Sequence, residues 1–183
     1  MKHYRRADPS FSLCGLHCGL CPIHHMERGC PGCGGGAGHQ SCGIIRCSLE
    51  HGGVTYCIQC AEYPCARYDG FDEADSFLSH LRRAEDLEKL RRIGPAAYAA
   101  EQREKQALLL SLLEWHLEGR RKTLYRQAVN LLNLTDLRSI LVELDESREI
   151  LSRGERAALA EERLQAAADR AGVSLRLRRR GKP

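Results

Sequence analysis

Residues 14–65 read CGLHCGLCPIHHMERGCPGCGGGAGHQSCGIIRCSLEHGGVTYCIQCAEYPC, and they hold all ten cysteines of the chain. These are Cys14, Cys18, Cys21, Cys30, Cys33, Cys42, Cys47, Cys57, Cys60 and Cys65. Three gaps are C-x-x-C: Cys18 to Cys21, Cys30 to Cys33 and Cys57 to Cys60. That spacing lets two thiolates from one tight turn reach a single tetrahedral metal ion, the way closed structural zinc sites are built. Large apolar side chains are sparse here, and small domains with thin cores rely on disulfides or metals.

Disulfides belong to secreted chains with an apolar signal segment. The opening MKHYRRADPSFSL is charged and has no apolar stretch, so the expected location is the cytoplasm, with reduced thiols free to bind metal. No run of about 18 apolar residues offers a membrane span. Net charge is +4, and Arg176, Arg178, Arg179, Arg180 and Lys182 crowd the last eight residues. The rest is near neutral, which excludes a broadly basic nucleic-acid binder and leaves only a basic end as a route to nucleic acid. That end lacks aromatic residues to stack on bases.

The composition divides the chain into a cysteine-rich module, residues 1–71, and a helical region, residues 72–183. In Cys30-Pro31-Gly32-Cys33-Gly34-Gly35 the glycines permit a knuckle whose N–H groups face sulfur. No G-K-[ST] follows, so a phosphate loop is disfavoured. Beyond residue 71 the pattern predicts a helix capped by Asp72 and running to about Arg92, then one from Pro95 to about Glu118 stopped by Gly119. A third helix carries Leu124 to Leu132. A fourth is capped by Thr135, and a fifth is opened by the capping box Ser152-Arg153-Gly154-Glu155. Val173, Leu175 and Leu177 alternate like a short strand. The expected fold is a small metal-bound cysteine-rich module of short hairpins and knuckles followed by an all-α helical bundle.

All ten cysteines are candidate metal ligands, and two zinc ions with two spare thiols is the simplest count. His17, His24, His25, His39 and His51 are secondary candidates. Spacing suggests that Cys30, Cys33, Cys57 and Cys60 share one ion, with Cys14, Cys18 and Cys21 joined by Cys47 or Cys65 at another. An iron–sulfur cluster is the alternative, because tetrahedral sulfur sites suit either metal. Cys14-x3-Cys18-x2-Cys21 matches the radical S-adenosylmethionine spacing, but the strand–helix repeats of that fold do not follow. A closed four-thiolate zinc site has no open position for substrate, so a structural role outweighs catalysis. No Ser-His-Asp order, H-E-x-x-H or dinucleotide fingerprint is present. Other features read as ordinary surface or packing: Arg120, Arg121 and Lys122 beside a helix end, Trp115 between helices, and Glu143, Asp145, Glu146 and Glu149 on a solvated face.

Cys14-Gly-Leu-His-Cys18-Gly-Leu-Cys21-Pro22, Cys30-Pro-Gly-Cys33, Cys42-Gly-Ile-Ile-Arg-Cys47 and Cys57-Ile-Gln-Cys60-Ala-Glu-Tyr-Pro-Cys65 resemble the bacterial and archaeal family called domain of unknown function 3795. Gly119-Arg-Arg-Lys-Thr-Leu-Tyr125 and Ala128-Val-Asn-Leu-Leu132 resemble a longer subgroup, with Arg126 where a small residue or cysteine is expected. The likeness spans roughly residues 13 to 144. It implies metal binding, zinc first, and no particular activity. The functional expectation is a zinc-binding protein acting as a binding or adaptor module for an unknown protein partner. An iron–sulfur redox protein and a nucleic-acid-associated zinc protein are the alternatives, and no membrane is involved.

Overall fold

The computed structural model describes residues 3–179. It contains α1 (Gly43–Glu50), α2 (Arg83–Ile93), α3 (Pro95–Trp115), α4 (Lys122–Leu131), α5 (Leu134–Glu146) and α6 (Arg153–Arg170). No strand occurs among the described residues, only an isolated antiparallel bridge between Arg5 and Gly35. The chain forms two compact units. One runs to Gln102 and takes in Arg178 and Arg179; the other spans Arg103–Leu177. The division therefore falls later in the sequence than the change of composition at residues 71–72.

In the first unit the expected hairpins are replaced by 3₁₀ turns at Cys18–Leu20, Pro22–His25, Cys57–Gln59 and Ala66–Tyr68. The reason lies in the C-x-x-C spacing. Side chains three apart eclipse on a 3₁₀ turn, and the Cys21 N–H closes on the Cys18 carbonyl at 3.1 Å as the Cys60 N–H closes on Cys57 at 2.9 Å. Two thiols thus share one edge with no strand pairing. The third pair uses glycine instead: Gly32 has φ +95°, and a Cβ there would lie 2.2 Å from the Pro9 carbonyl oxygen. That same oxygen accepts the Cys33 N–H at 2.9 Å.

The module's few apolar side chains do not stand alone. Phe11 and Tyr56 are buried with Leu87 and Leu90 of α2 and Tyr98 of α3. Leu13, Cys14, Ile44 and Ile45 form a second cluster, with α1 supplying the two isoleucines. Each fully buried side chain of this size contributes about 1.5–3 kcal/mol. The core is thus completed by helices that composition alone assigns elsewhere. α1, unforeseen from the sequence, starts where the Cys42 sulfur takes the Ile44 N–H at the N-cap.

The helix expected from Asp72 begins eleven residues later, at Arg83. Asp72 does not cap; its carboxylate is held by Arg83. Asp75 accepts the His80 N–H at 2.8 Å and the Arg178 N–H at 2.7 Å, which fixes the intervening chain as turns. Phe77, expected on an apolar helix face, is 56% exposed. Arg178 also pairs with Asp75 through its guanidinium, Nη2 to Oδ1 2.7 Å. Arg180 and Lys182 of the basic end lie outside the described residues.

The second unit is helical, as expected of this half of the chain. α6 packs against α4 and α5, burying Ala157, Ala160, Leu164, Ala167 and Ala168 in a core with Tyr125, Val129, Leu137 and Leu144. The Ser152–Glu155 capping box is present at the start of α6. The cap of α5 is Asn133, not Thr135: its Oδ1 takes the Asp136 N–H at 2.8 Å. α3 ends at Trp115, before Gly119. Residues 173–177 pair with no strand. Gly172 at φ +66° turns the chain out of α6, and Val173 N–H closes on Ala168 O. Trp115 is 40% exposed rather than packed between helices, and Arg148 lies over its ring at 3.9 Å.

Candidate metal centre

All ten cysteines are free thiols. The turns of the first unit gather them into two sets. Cys47, Cys57, Cys60 and Cys65 line a cavity of about 20 Å³ together with His51, Tyr63, Arg67 and Tyr68. Cys14, Cys18, Cys21, Cys30, Cys33 and Cys42 line a second cavity of about 200 Å³ with His24, Leu16, Ile23, Ile45 and Phe77. No thiol belongs to both. This overturns the pairing expected from spacing: Cys30 and Cys33 stand with Cys14, Cys18 and Cys21, whereas Cys57 and Cys60 stand with Cys47 and Cys65. The loop of α1 carries the chain from one set to the other, because Cys42 caps its first turn and Cys47 sits in its last.

Among the described residues no three His, Cys, Asp or Glu side chains are gathered closely enough to hold an ion outright. The surroundings are nonetheless built for thiolate. Of the backbone N–H groups, that of Ile44 is directed at the Cys42 sulfur, 3.4 Å away, while those of Leu16 and Cys33 go to Ser12 Oγ at 2.8 Å and Pro9 O at 2.9 Å. The Ser12 hydroxyl lies 3.0 Å from the Cys14 sulfur. A neutral thiol is a weak acceptor, whereas a charged sulfur draws such donors strongly. Arg6 adds positive charge beside Cys33, and Arg67 does so beside Cys47.

One buried polar atom makes the same point in the smaller cavity. The Tyr68 hydroxyl is buried without a hydrogen-bond partner, and it faces Cys57, whose ionised form it would stabilise. An unsatisfied buried donor costs about 1–3 kcal/mol, and a metal-bound thiolate at Cys57 would remove that cost. The donor set and its surroundings fit a soft, tetrahedral thiolate-bound metal.

Burial pushes the Cys14 thiol up to about 12 and the Cys57 thiol up to about 11. It raises Cys18 and Cys33 as well. Desolvation disfavours the charged form, so at neutral pH these sulfurs are protonated.

The histidines make other contacts, although His51 lines the smaller cavity, with Nδ1 3.6 Å from the Cys47 sulfur, and His24 lines the larger. His17 Nε2 lies 2.9 Å from Asp86 and 3.2 Å from the Tyr98 hydroxyl. His24 Nδ1 donates to the Cys30 carbonyl at 3.0 Å, and His25 Nε2 to that of Gly19 at 2.8 Å. His39 Nδ1 donates to Gln40 O at 3.0 Å. His51 meets the Cys47 carbonyl through Nδ1 and Glu62 through Nε2. Sequence reasoning missed Arg6, Ser12, Arg67 and Tyr68 as groups that serve the sulfurs. For Arg67 and Tyr68 the signal was adjacency to Cys65; Arg6 carried none.

Outside the thiol sets, His116 of the second unit is fully buried, with neither ring nitrogen hydrogen-bonded. Arg121, beside the start of α4, is paired with Glu161 at 2.7 Å. Among the described residues no helix is long and apolar enough to cross a membrane. Compared with protein-family models, with curated proteins and with solved structures, the chain finds no match.

Proposed function

We propose that the chain is a zinc-binding protein whose metal orders a binding or adaptor surface in the first unit. The observation that carries this reading is the gathering of all ten free thiols into two sets, with the Ile44 amide and the Ser12 hydroxyl at sulfur in one and the orphaned Tyr68 hydroxyl facing Cys57 in the other. Zinc bound by thiolates alone is coordinatively closed, which favours a structural and recognition role over catalysis. Ten free thiols suit a reducing compartment such as the cytoplasm.

The size of the larger cavity favours a second reading, an iron–sulfur redox protein. A nucleic-acid role through the basic end has less support, because Arg178 is already paired with Asp75.

The test is metal analysis of the anaerobically purified full chain, with hydrogen exchange before and after chelation. The expected result is a colourless protein with tightly bound zinc, whose residues 14–65 lose protection on chelation while α4 to α6 keep theirs. A brown sample containing iron and sulfide would install the second reading. Metal-free protein, or sulfurs joined pairwise, would overturn both.

A further inference from the structure

The two thiol sets differ in number and in room, and that difference bears on stoichiometry. Four tetrahedral donors satisfy one zinc ion, and the smaller cavity offers four thiols in about 20 Å³. That volume is on the scale of one small guest, since a single water needs roughly 10–15 Å³ by the same measure. The larger cavity offers six thiols in about 200 Å³. One ion there would use four and strand two buried sulfurs. An iron–sulfur cluster held by four cysteines would strand two as well.

Resting on the zinc reading, we infer that the six-thiol cavity takes two zinc ions bridged by two of its own thiolates, so that the chain holds three zinc ions. Two tetrahedral ions need eight metal–sulfur bonds at four each. Six thiolates supply eight when two of them bond both ions, and then no sulfur in either set is idle. The ten cysteines are accounted for as four and six, which two separate four-cysteine sites cannot do.

The surroundings agree with this count. Cys14, Cys18, Cys33 and Cys42 line this one cavity, and like charges on them would oppose one another's ionisation, which a divalent cation relieves. Two zinc ions with six thiolates leave a net charge of −2. Around that charge stand the Ile44 amide, 3.4 Å from the Cys42 sulfur, the Ser12 hydroxyl, 3.0 Å from the Cys14 sulfur, and Arg6 beside Cys33. His24, the one imidazole lining the cavity, is tied through Nδ1 to Cys30 O and is not needed as a ligand.

Native mass spectrometry of the full chain, together with cadmium-113 NMR after exchange of zinc for cadmium, tests this. The expected result is three metals per chain and three cadmium resonances, two of them mutually split through a shared sulfur and one a singlet. Cys60→Ser should lose the singlet and keep the split pair; Cys33→Ser, which leaves five thiols in the larger cavity, should disturb the split pair and keep the singlet. Should either variant fail to fold, the wild-type count and splitting decide alone. Two metals, or three unsplit resonances, would overturn the bridged pair and leave the zinc reading standing. Iron with sulfide, or no tightly bound metal, would overturn both.

Discussion

Arg83 and Asp72 form a bidentate ion pair, Nε to Oδ1 2.8 Å and Nη2 to Oδ2 2.5 Å, from a guanidinium that is itself nearly fully buried. The same guanidinium donates from Nη1 to the Cys14 carbonyl at 3.1 Å and lies over the Tyr68 ring at 4.3 Å. One side chain of α2 therefore fixes a residue from each thiol set. Burial works most strongly on its charge, against it, but the hydrogen bonds to Asp72 and Tyr63 and the Asp72 charge together outweigh burial and hold the guanidinium protonated. Removing one partner of a buried pair costs about 3–5 kcal/mol, less here because Asp72 is partly exposed. Arg83→Ala is expected to lower stability by about 2–3 kcal/mol in urea unfolding, and Asp72→Asn by about 1 kcal/mol. Equal losses from the two would show that the contacts to Cys14 and Tyr68 contribute nothing.

Gly32→Ala should damage the knuckle far more than its size suggests. The new methyl would meet the Pro9 carbonyl at 2.2 Å, and the left-handed backbone alone costs an L-residue about 1–2 kcal/mol. Gly52 is the control, with φ +80° and open space around it. Gly52→Ala is expected to show the conformational cost only, whereas Gly32→Ala adds the clash, read as a lower urea midpoint. Indistinguishable variants would place the cost in φ and none in the close approach.

His116 gives the second unit a dependence on acid. Burial holds its imidazole below the ordinary 6.5, with Arg148 and Arg156 acting in the same direction and Asp145, 3.8 Å away, opposing them. As pH falls through 6.5 the unfolded chain takes up a proton that the folded chain refuses, so stability declines, by at most about 1.4 kcal/mol per pH unit. His116→Gln cannot titrate. Urea midpoints measured from pH 7 to 5 should fall more steeply for the wild type than for the variant. Thiol protonation affects both alike, so parallel curves would dismiss the histidine.

Ser152 and Glu155 stabilise the start of α6 reciprocally: Glu155 Oε2 accepts the Ser152 N–H at 2.8 Å while the serine hydroxyl faces the Glu155 N–H at 3.4 Å. Ser152→Ala is expected to cost about 1 kcal/mol, read as an earlier thermal transition of the helical signal. Ser152→Asp, which keeps an N-cap acceptor, should restore most of it.

The same box shows what is legible in a linear sequence. It involves residues three apart, so its chemistry is local, and the start of α6 follows from it. The cysteines as a set are legible for the same reason, and the C-x-x-C turns needed only their spacing. Their division into four and six was not, because it depends on α1 separating Cys42 from Cys47 by one short helix. The start of α2 was misplaced because the partners that hold residues 72–80 as turns include Arg178, about a hundred positions away. The strand expected at residues 173–177 failed because alternation describes a half-buried segment whether or not a neighbouring strand exists to pair with it.

The larger thiol set ends at Cys42 and the smaller begins at Cys47, so the two follow one another along the chain without interleaving. A nascent polypeptide thus exposes every sulfur of the first pocket before any of the second has emerged. Each pocket closes over short loops, which cost little entropy, and neither depends on the other for a missing ligand. Assembly can proceed vectorially, in the order of synthesis, with no mispaired intermediate to be undone.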